Sequence, residues 1–270
     1  MTMRATWQST LFTAVAAVLL ATLTGSLRAQ PVKNPAPIAA GVVRLGLILD
    51  MAGPYSDTTG VGSATAAKMA VEDFGGRVLG APIEVLVADH QNSPDRAAAV
   101  ARDWFDTRHI DAIMDVAGSS EAQIVQAIAD TRHKIVILNA AVAERLSNEA
   151  CTATSIHYAF DTHAIAHTVG SALVARGDDT WFFITVDYSF GYDLESDTAA
   201  VVTKSGGKVL GHARYPLDAH DFASYLARAR ESHAKVIGLV NAGRDLSDTI
   251  RQAAQRGMIP GPQVFAGLAL

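Results

Sequence analysis

From residue 42 onward the chain alternates short apolar runs with longer stretches in which apolar residues recur at helical spacing. Val42–Leu49 is rich in β-formers and predicts a strand; Val61–Phe74 predicts a helix that stops at Gly75-Gly76. Strand Ile83–Asp89 follows, then helix Asp95–Arg108, with Ser93 as its cap and Pro94 at an early helical position. Strand Ala112–Val116, helix Ser119–Arg132 and strand Ile135–Leu138 complete a first series. A second series runs helix Thr162–Arg176, strand Trp181–Val186, helix Phe190–Ser205, strand Lys208–Tyr215, helix Phe222–Ser232, strand Val236–Val240, helix Asp245–Arg256 and strand Gln263–Phe265. Unbroken apolar strands such as Ile135-Val136-Ile137-Leu138 suit a parallel sheet covered on both faces. Two such blocks, joined near Ala143–Asp161, predict an α/β fold of two doubly wound parallel-sheet lobes.

The N-terminal pattern is different. Residues 1–29 read as a cleaved signal peptide: Arg4 without acids, an apolar run Leu11–Leu23, then small residues up to Ala29. That run is short for a membrane span, and no Cys near the cut suggests a lipid anchor. Residues 30–41, including Pro31 to Pro37, read as a tether before the first strand. The chain is therefore expected to act outside the cytoplasm.

Composition narrows the partners. The 270 residues are 49% hydrophobic and 18% charged, with a net charge of −5; loss of Arg4 and Arg28 with the leader takes it to −7. Nucleic acid, which requires a basic surface, is excluded as a partner. The single cysteine, Cys151, is expected to be a buried small residue, the alternative being a partner in a segment that this chain lacks.

Open α/β sheets bind ligands beyond the carboxyl ends of their strands. Two facing sheets would thus line a cleft with Tyr55, Ser56 and Thr58 from the first loop, and Gly118, Ser119 and Ser120 at a helix start. Asn139, Ala140 and Ala141 would join them from lobe one, with Asp187, Tyr188, Phe190, Asn241 and Ala242 from lobe two. Ser119 and Ser120 stand where free backbone N–H groups favour an anion, so a carboxylate could be held there without a full positive charge. Ser119 also suits a helix cap, a role compatible with ligand contact.

The residues that carry a family resemblance run in order. They are Val43-Arg44-Leu45-Gly46 to Gly53-Pro54-Tyr55, Ala70-Val71-Glu72-Asp73 with Gly75-Gly76, and Val78 to Val85. Ala88-Asp89-His90-Gln91-Asn92, Gly118-Ser119-Ser120, Asp187-Tyr188 with Phe190-Gly191, and Gly206-Gly207-Lys208-Val209 continue the series. Over roughly residues 42 to 268 the chain resembles the periplasmic branched-chain amino-acid-binding proteins, solute receptors of ABC importers. The resemblance implies a two-lobed Venus-flytrap fold, a periplasmic location, a small-molecule ligand, ABC permease subunits as partners, no cofactor and no catalysis. It implies that Ser119 and Ala140-Ala141 meet the ligand carboxylate and that Phe190, with Tyr188 nearby, closes over the ligand. Of the two acids that hold an amino-acid ammonium in that family, one matches Asp161; the other falls near Leu268, an apolar residue. A buried ammonium without charge partners is costly, which argues against an α-amino acid.

Cys151-Thr152, His157 to Thr162, Trp181-Phe182-Phe183 and Asp187 to Gly191 are similar to the subgroup that takes up aromatic acids such as benzoate derivatives. Phe160, Tyr188 and Phe190 could supply ring walls, although Phe160 and Phe182 are expected in the core. The alternatives are a branched-chain amino-acid or amide receptor, or a ligand-sensing module of a regulatory system. Residues 42–161 would form lobe one and 162–262 lobe two, with 263–270 starting a return crossover to lobe one. Members of the family continue further, so lobe one is expected to be incomplete, with exposed apolar surface and poor stability or association of this chain alone.

Enzyme readings fail on detail. Gly60-Val61-Gly62 comes well after the first strand ends, and Thr65 stands where a dinucleotide turn needs its third glycine. His163 and His167 share a helix face, but zinc would need further ligands, and Ala164 follows the first where a zinc protease needs Glu, so surface or interlobe histidines are expected. No Gly-x-Ser-x-Gly elbow surrounds a serine.

Overall fold

The computed structural model describes residues 41–269, so the expected signal peptide and most of the tether lie outside the described residues. The first sheet is built from β1 (Val43–Leu49), β2 (Arg77–Val78), β3 (Ala81–Asp89), β4 (Ala112–Met114), β5 (Ile135–Leu138) and β6 (Ser155–His157). Its order is β2-β3-β1-β4-β5-β6, parallel except for β2, which folds back on β3. The second sheet holds β7 (Thr180–Val186), β8 (Lys208–Tyr215), β9 (Val236–Val240) and β10 (Val264–Gly267), in the order β10-β9-β7-β8, all parallel. The strands alternate with helices α1 (Gly60–Asp73), α2 (Pro94–Asp106), α3 (Ser119–Asp130), α4 (Thr162–Ala175), α5 (Ser189–Lys204), α6 (Ala223–Glu231) and α7 (Gly243–Gln255). The two doubly wound lobes expected from the sequence are therefore present. Among the described residues no helix is long and apolar enough to cross a membrane.

Local chemistry explains the helix starts. The Ser93 hydroxyl accepts from the Arg96 amide at 3.3 Å, with Pro94 behind it, and caps α2 as expected. Asp161 does the same for α4, its carboxylate accepting from the Ala164 amide at 2.9 Å. Two short elements escape a pattern-based reading: β6 is three residues with one apolar side chain, and a single 3-10 turn spans Glu144–Leu146.

The strand expected at Gln263–Phe265 is present as β10. Val264–Gly267 pairs with Val236–Leu239 and extends the lobe-two sheet by one strand. Its backbone donors and acceptors meet a parallel neighbour there rather than lobe one.

The lobes are packed differently. Along β7 every residue from Trp181 to Val186 is buried, and so is every residue of β9. Successive strand residues point to opposite faces, so the middle of the lobe-two sheet is covered on both, while its edge strand β8 is exposed on one. Lobe one departs from that expectation. Val136 and Leu138 are buried with Trp104, Phe105, Ile113 and Val125 beneath α2 and α3, while Ile135 is 48% and Ile156 50% exposed. Their face is sheltered near β1 by α1, whose buried residues are only Gly60 and Ala64. Cys151, expected to be buried, is exposed and free, in the irregular segment before β6.

Candidate functional site

In each sheet the strand order reverses beside the first strand of the lobe, at β1/β4 in lobe one and β7/β9 in lobe two. Backbone groups beyond these strand ends have no neighbour to occupy them, so a crevice opens there. The two crevices face each other and enclose a cavity of about 390 Å³.

The loop after β1 is organised by Asp50. Its buried carboxylate accepts from the Gly53 amide at 2.6 Å and the Tyr55 amide at 2.9 Å. Thr58 Oγ1 then closes on the Tyr55 carbonyl at 2.9 Å. This turn presents the Tyr55 phenol to lobe two, where its oxygen lies 2.8 Å from that of Tyr188. Burial raises both phenol pKa values, so both remain neutral and either can donate to the other or to a ligand. The Tyr188 and Phe190 rings are 5.8 Å apart, giving lobe two an aromatic wall.

The loop after β4 supplies Asp115, Ala117 and Ser119 to the lining. Gly118, not Ser119, is the N-terminal cap of α3, and the Ser119 hydroxyl accepts from the Ala143 amide at 3.3 Å. Glu121 folds back over Gly118, so that a β-carbon on residue 118 would run into its carboxyl group. That carboxyl reaches its own backbone amide, and burial together with nearby Asp50 raises its pKa. The start of α3 thus already holds one acid, which reduces the room for an anion there.

The loop after β5 places Asn139, Ala140 and Val142 on the cavity. Asn139 Oδ1 accepts from the Asp115 amide at 3.1 Å. From lobe two come Ala242, Gly243 and Ala269. Gly243 has φ +59°, and a β-carbon there would strike the Pro54 carbonyl, to which the Arg244 amide donates at 3.0 Å. Further bridges join Ser120 to Ser189 at 2.8 Å and Arg145 to Asp193, with Nε–Oδ2 at 2.8 Å. The lobes are in contact around the cavity.

The scan against family models matches residues 42–270 to the model described as periplasmic binding protein. A periplasmic binding protein from Burkholderia mallei is 46% identical, with a TM-score of 0.83, over 86% of this chain and 61% of its own. The chain belongs to the periplasmic-binding-protein family. A branched-chain amino-acid ABC transporter periplasmic ligand-binding protein from Burkholderia xenovorans is 33% identical over 83% of this chain and 60% of its own, with a TM-score of 0.67. A solute-binding protein of an ABC transporter from Rhodopseudomonas palustris, in complex with 3,4-dihydroxybenzoic acid, shares the fold at 21% identity and a TM-score of 0.75, over 83% of this chain and 61% of its own. This periplasmic binding protein thus spans about three-fifths of the length of those relatives. No curated protein matches it.

Of the residues expected at the site, Tyr55, Thr58, Ser119, Asn139, Ala140, Tyr188, Phe190 and Ala242 line the cavity. The others do not: Ser56 donates to the Gly53 carbonyl, Gly118 caps α3, and Asp187 accepts from the Tyr192 hydroxyl. Ser120 spends its hydroxyl on Ser189, and Ala141 is buried with its carbonyl 2.8 Å from His157 Nε2. Asp161 is occupied in capping α4. Asn241 is likewise buried on Thr249. Leu268 packs into the lobe-two core, and its neighbour Ala269 faces the cavity instead. Phe160, expected in the core, is 62% exposed and lines the cavity. Asp115 and Ser63 are additions; the sequence pattern had carried strand β4 through to Val116, hiding Asp115 inside it.

Proposed function

We propose that this periplasmic binding protein is the periplasmic solute receptor of an ABC importer and that it captures a small aromatic carboxylate between its lobes for delivery to a membrane permease. The observation that carries the reading is the cavity lining. Phe160, Tyr188 and Phe190 offer ring faces, while Thr58, Ser119 and Tyr55 offer hydroxyls. A cavity of about 390 Å³ suits a single-ring ligand. The ring would stack on the aromatic wall, and its carboxylate would take the hydroxyls of Ser119 and Tyr55, beside the α3 start that Glu121 occupies. Tyr55–Tyr188 and Ser120–Ser189 join the lobes beside the cavity, so a ligand touching both lobes would favour the closed form. The fold in which 3,4-dihydroxybenzoic acid is held in the Rhodopseudomonas palustris protein is compatible with this reading.

A second reading, an amino-acid receptor, is favoured by Asp115, a carboxyl group in the cavity wall that could meet an ammonium. Thermal shift and calorimetric titration of the purified chain with benzoate derivatives, leucine, isoleucine and valine separate the two. A ligand that binds only the folded state raises the melting midpoint by mass action. Stabilisation by benzoates alone supports the proposal; stabilisation by leucine or valine alone overturns it in favour of the second reading.

A further inference from the structure

Asp115 has no part in holding a ligand carboxylate, yet it lies in the cavity wall and is only 4% exposed. Its backbone is in the left-handed region, with φ +53°, a conformation uncommon for L-residues that Asp tolerates better than most. Two bonds to its amide hold it there, one to the Ile137 carbonyl at 3.0 Å and one to Asn139 Oδ1 at 3.1 Å. Ser63, at the start of α1, is also in the wall, and its hydroxyl offsets part of the rise that burial gives the Asp115 pKa. Among the described residues that line the cavity none is basic, so the protein supplies no counter-charge to this acid. A buried acceptor without a full complement of donors is costly, and a ligand donor would relieve that cost.

We propose that Asp115, steadied by Ser63 and Asn139, determines the specificity of the cleft by accepting a hydrogen bond from a ring hydroxyl of the ligand, which would make the preferred ligand a hydroxylated aromatic carboxylate. The inference rests on the aromatic-acid reading above and names the substrate class within it. Like charges repel, so Asp115 also turns the ligand's own carboxylate away, toward the Ser119 side of the cavity. A phenol needs one acceptor and brings no charge, whereas a buried ammonium needs balancing charge. Asp161, the acid expected to serve an ammonium, is committed to capping α4.

The test is calorimetric titration of the intact chain, Asp115→Leu, Asp115→Asn and Ser63→Ala with benzoate, 3-hydroxybenzoate, 4-hydroxybenzoate and leucine. The expected result is that the unaltered chain prefers a hydroxybenzoate over benzoate by at least about tenfold. Asp115→Leu should erase that preference, lowering hydroxybenzoate affinity by about tenfold more than it changes benzoate affinity. If Asp115→Leu fails to fold, Asp115→Asn and Ser63→Ala carry the test, each narrowing the preference. Benzoate and hydroxybenzoates binding alike to the unaltered chain would overturn this inference while leaving the receptor reading intact. A preference unchanged by every variant, or equal loss of all ligands in a variant that still melts normally, would overturn it too by making Asp115 a structural residue. Binding of leucine alone, lost in Asp115→Leu, would overturn both readings.

Discussion

The central strands of lobe two are buried on both faces, whereas those of lobe one leave one face partly open. On lobe one, Leu45, Val85, Ala112 and Ile135 lie in register across four strands, and Leu47, Val87, Met114, Ile137 and Ile156 form the next row. Among the described residues α1 covers only the β1/β3 end of these rows. In lobe two the central strands have no such gap, Trp181, Phe183, Tyr215 and Phe222 all lying within its core, and only the edge strand β8 leaves an apolar side chain, Leu210, exposed. The difference teaches that a sheet's hydrophobic pattern records what is meant to cover it, whether or not that cover is present. It also divides the work at the cleft, because the left-handed and buried polar groups come from lobe one and the aromatic wall largely from lobe two.

The largest test of this contrast is a pair of truncations. Phe183→Ala removes a ring from a fully covered face and should cost about 3–5 kcal/mol. Ile135→Ala, on the open face, should cost less than about 1 kcal/mol, and Ile135→Lys should lower self-association. Denaturant midpoints and sedimentation measure both. Equal costs at the two positions would mean that the open face is covered in solution.

The next largest effect concerns where the lobes touch. Gly243 combines a left-handed backbone with close approach to the Pro54 carbonyl, so Gly243→Ala both strains α7 and pushes lobe two from lobe one. The expected loss of ligand affinity is about ten- to a hundredfold, corresponding to about 1–3 kcal/mol. Scattering should show less compaction on adding ligand. Unchanged affinity and compaction would mean that closure does not require this contact.

Smaller again is a pH effect. Burial, with the neighbouring Glu144 carboxyl of lobe one, pushes Asp197 of lobe two up to about 6. Asp245, inside lobe two, is also pushed up to about 6, chiefly by burial. An acid whose pKa is higher folded than unfolded (about 3.9) binds more protons in the folded state. Stability from both groups is therefore greatest below about pH 4, falls as pH rises toward 6, and then levels off. Melting midpoints across that window should slope less in Asp197→Asn and in Asp245→Asn. Only the former should also alter compaction, because only Asp197 faces the other lobe's acid. Parallel slopes in all three proteins would remove these two acids from the account.

The sheets and most cavity residues were legible because strand ends could be located from apolar runs and Gly-Pro or Asn-Ala breaks. Thr58, Tyr188 and Ala242 follow from that rule alone. What the pattern does not encode is the direction of each side chain within a loop. Ser120 and Ala141 belong to the right loops but turn away, and Asp161 is claimed by its own helix. Asp115 was hidden by a strand read two residues too long, although an acid ending an apolar run is the kind of residue that takes a left-handed turn. The partial cover of β5 was not legible either, since Ile135 and Val136 differ only in what lies across from them.

The smallest effect sharpens the contrast at its boundary. Arg145, on the lobe-one 3-10 turn, forks onto Asp193 of α5 in lobe two. Both groups are partly exposed, so solvent screens the pair and it is worth about 1 kcal/mol or less. A double-mutant cycle with Arg145→Met and Asp193→Asn should give a coupling of that size in the ligand-bound protein. It should vanish in the free protein if the lobes part there, and added salt should weaken it. Equal coupling in both states would mean that the pair joins the lobes permanently. The bidentate fork would then belong to the hinge, and the reversible contacts would be those around Tyr55–Tyr188 and Gly243.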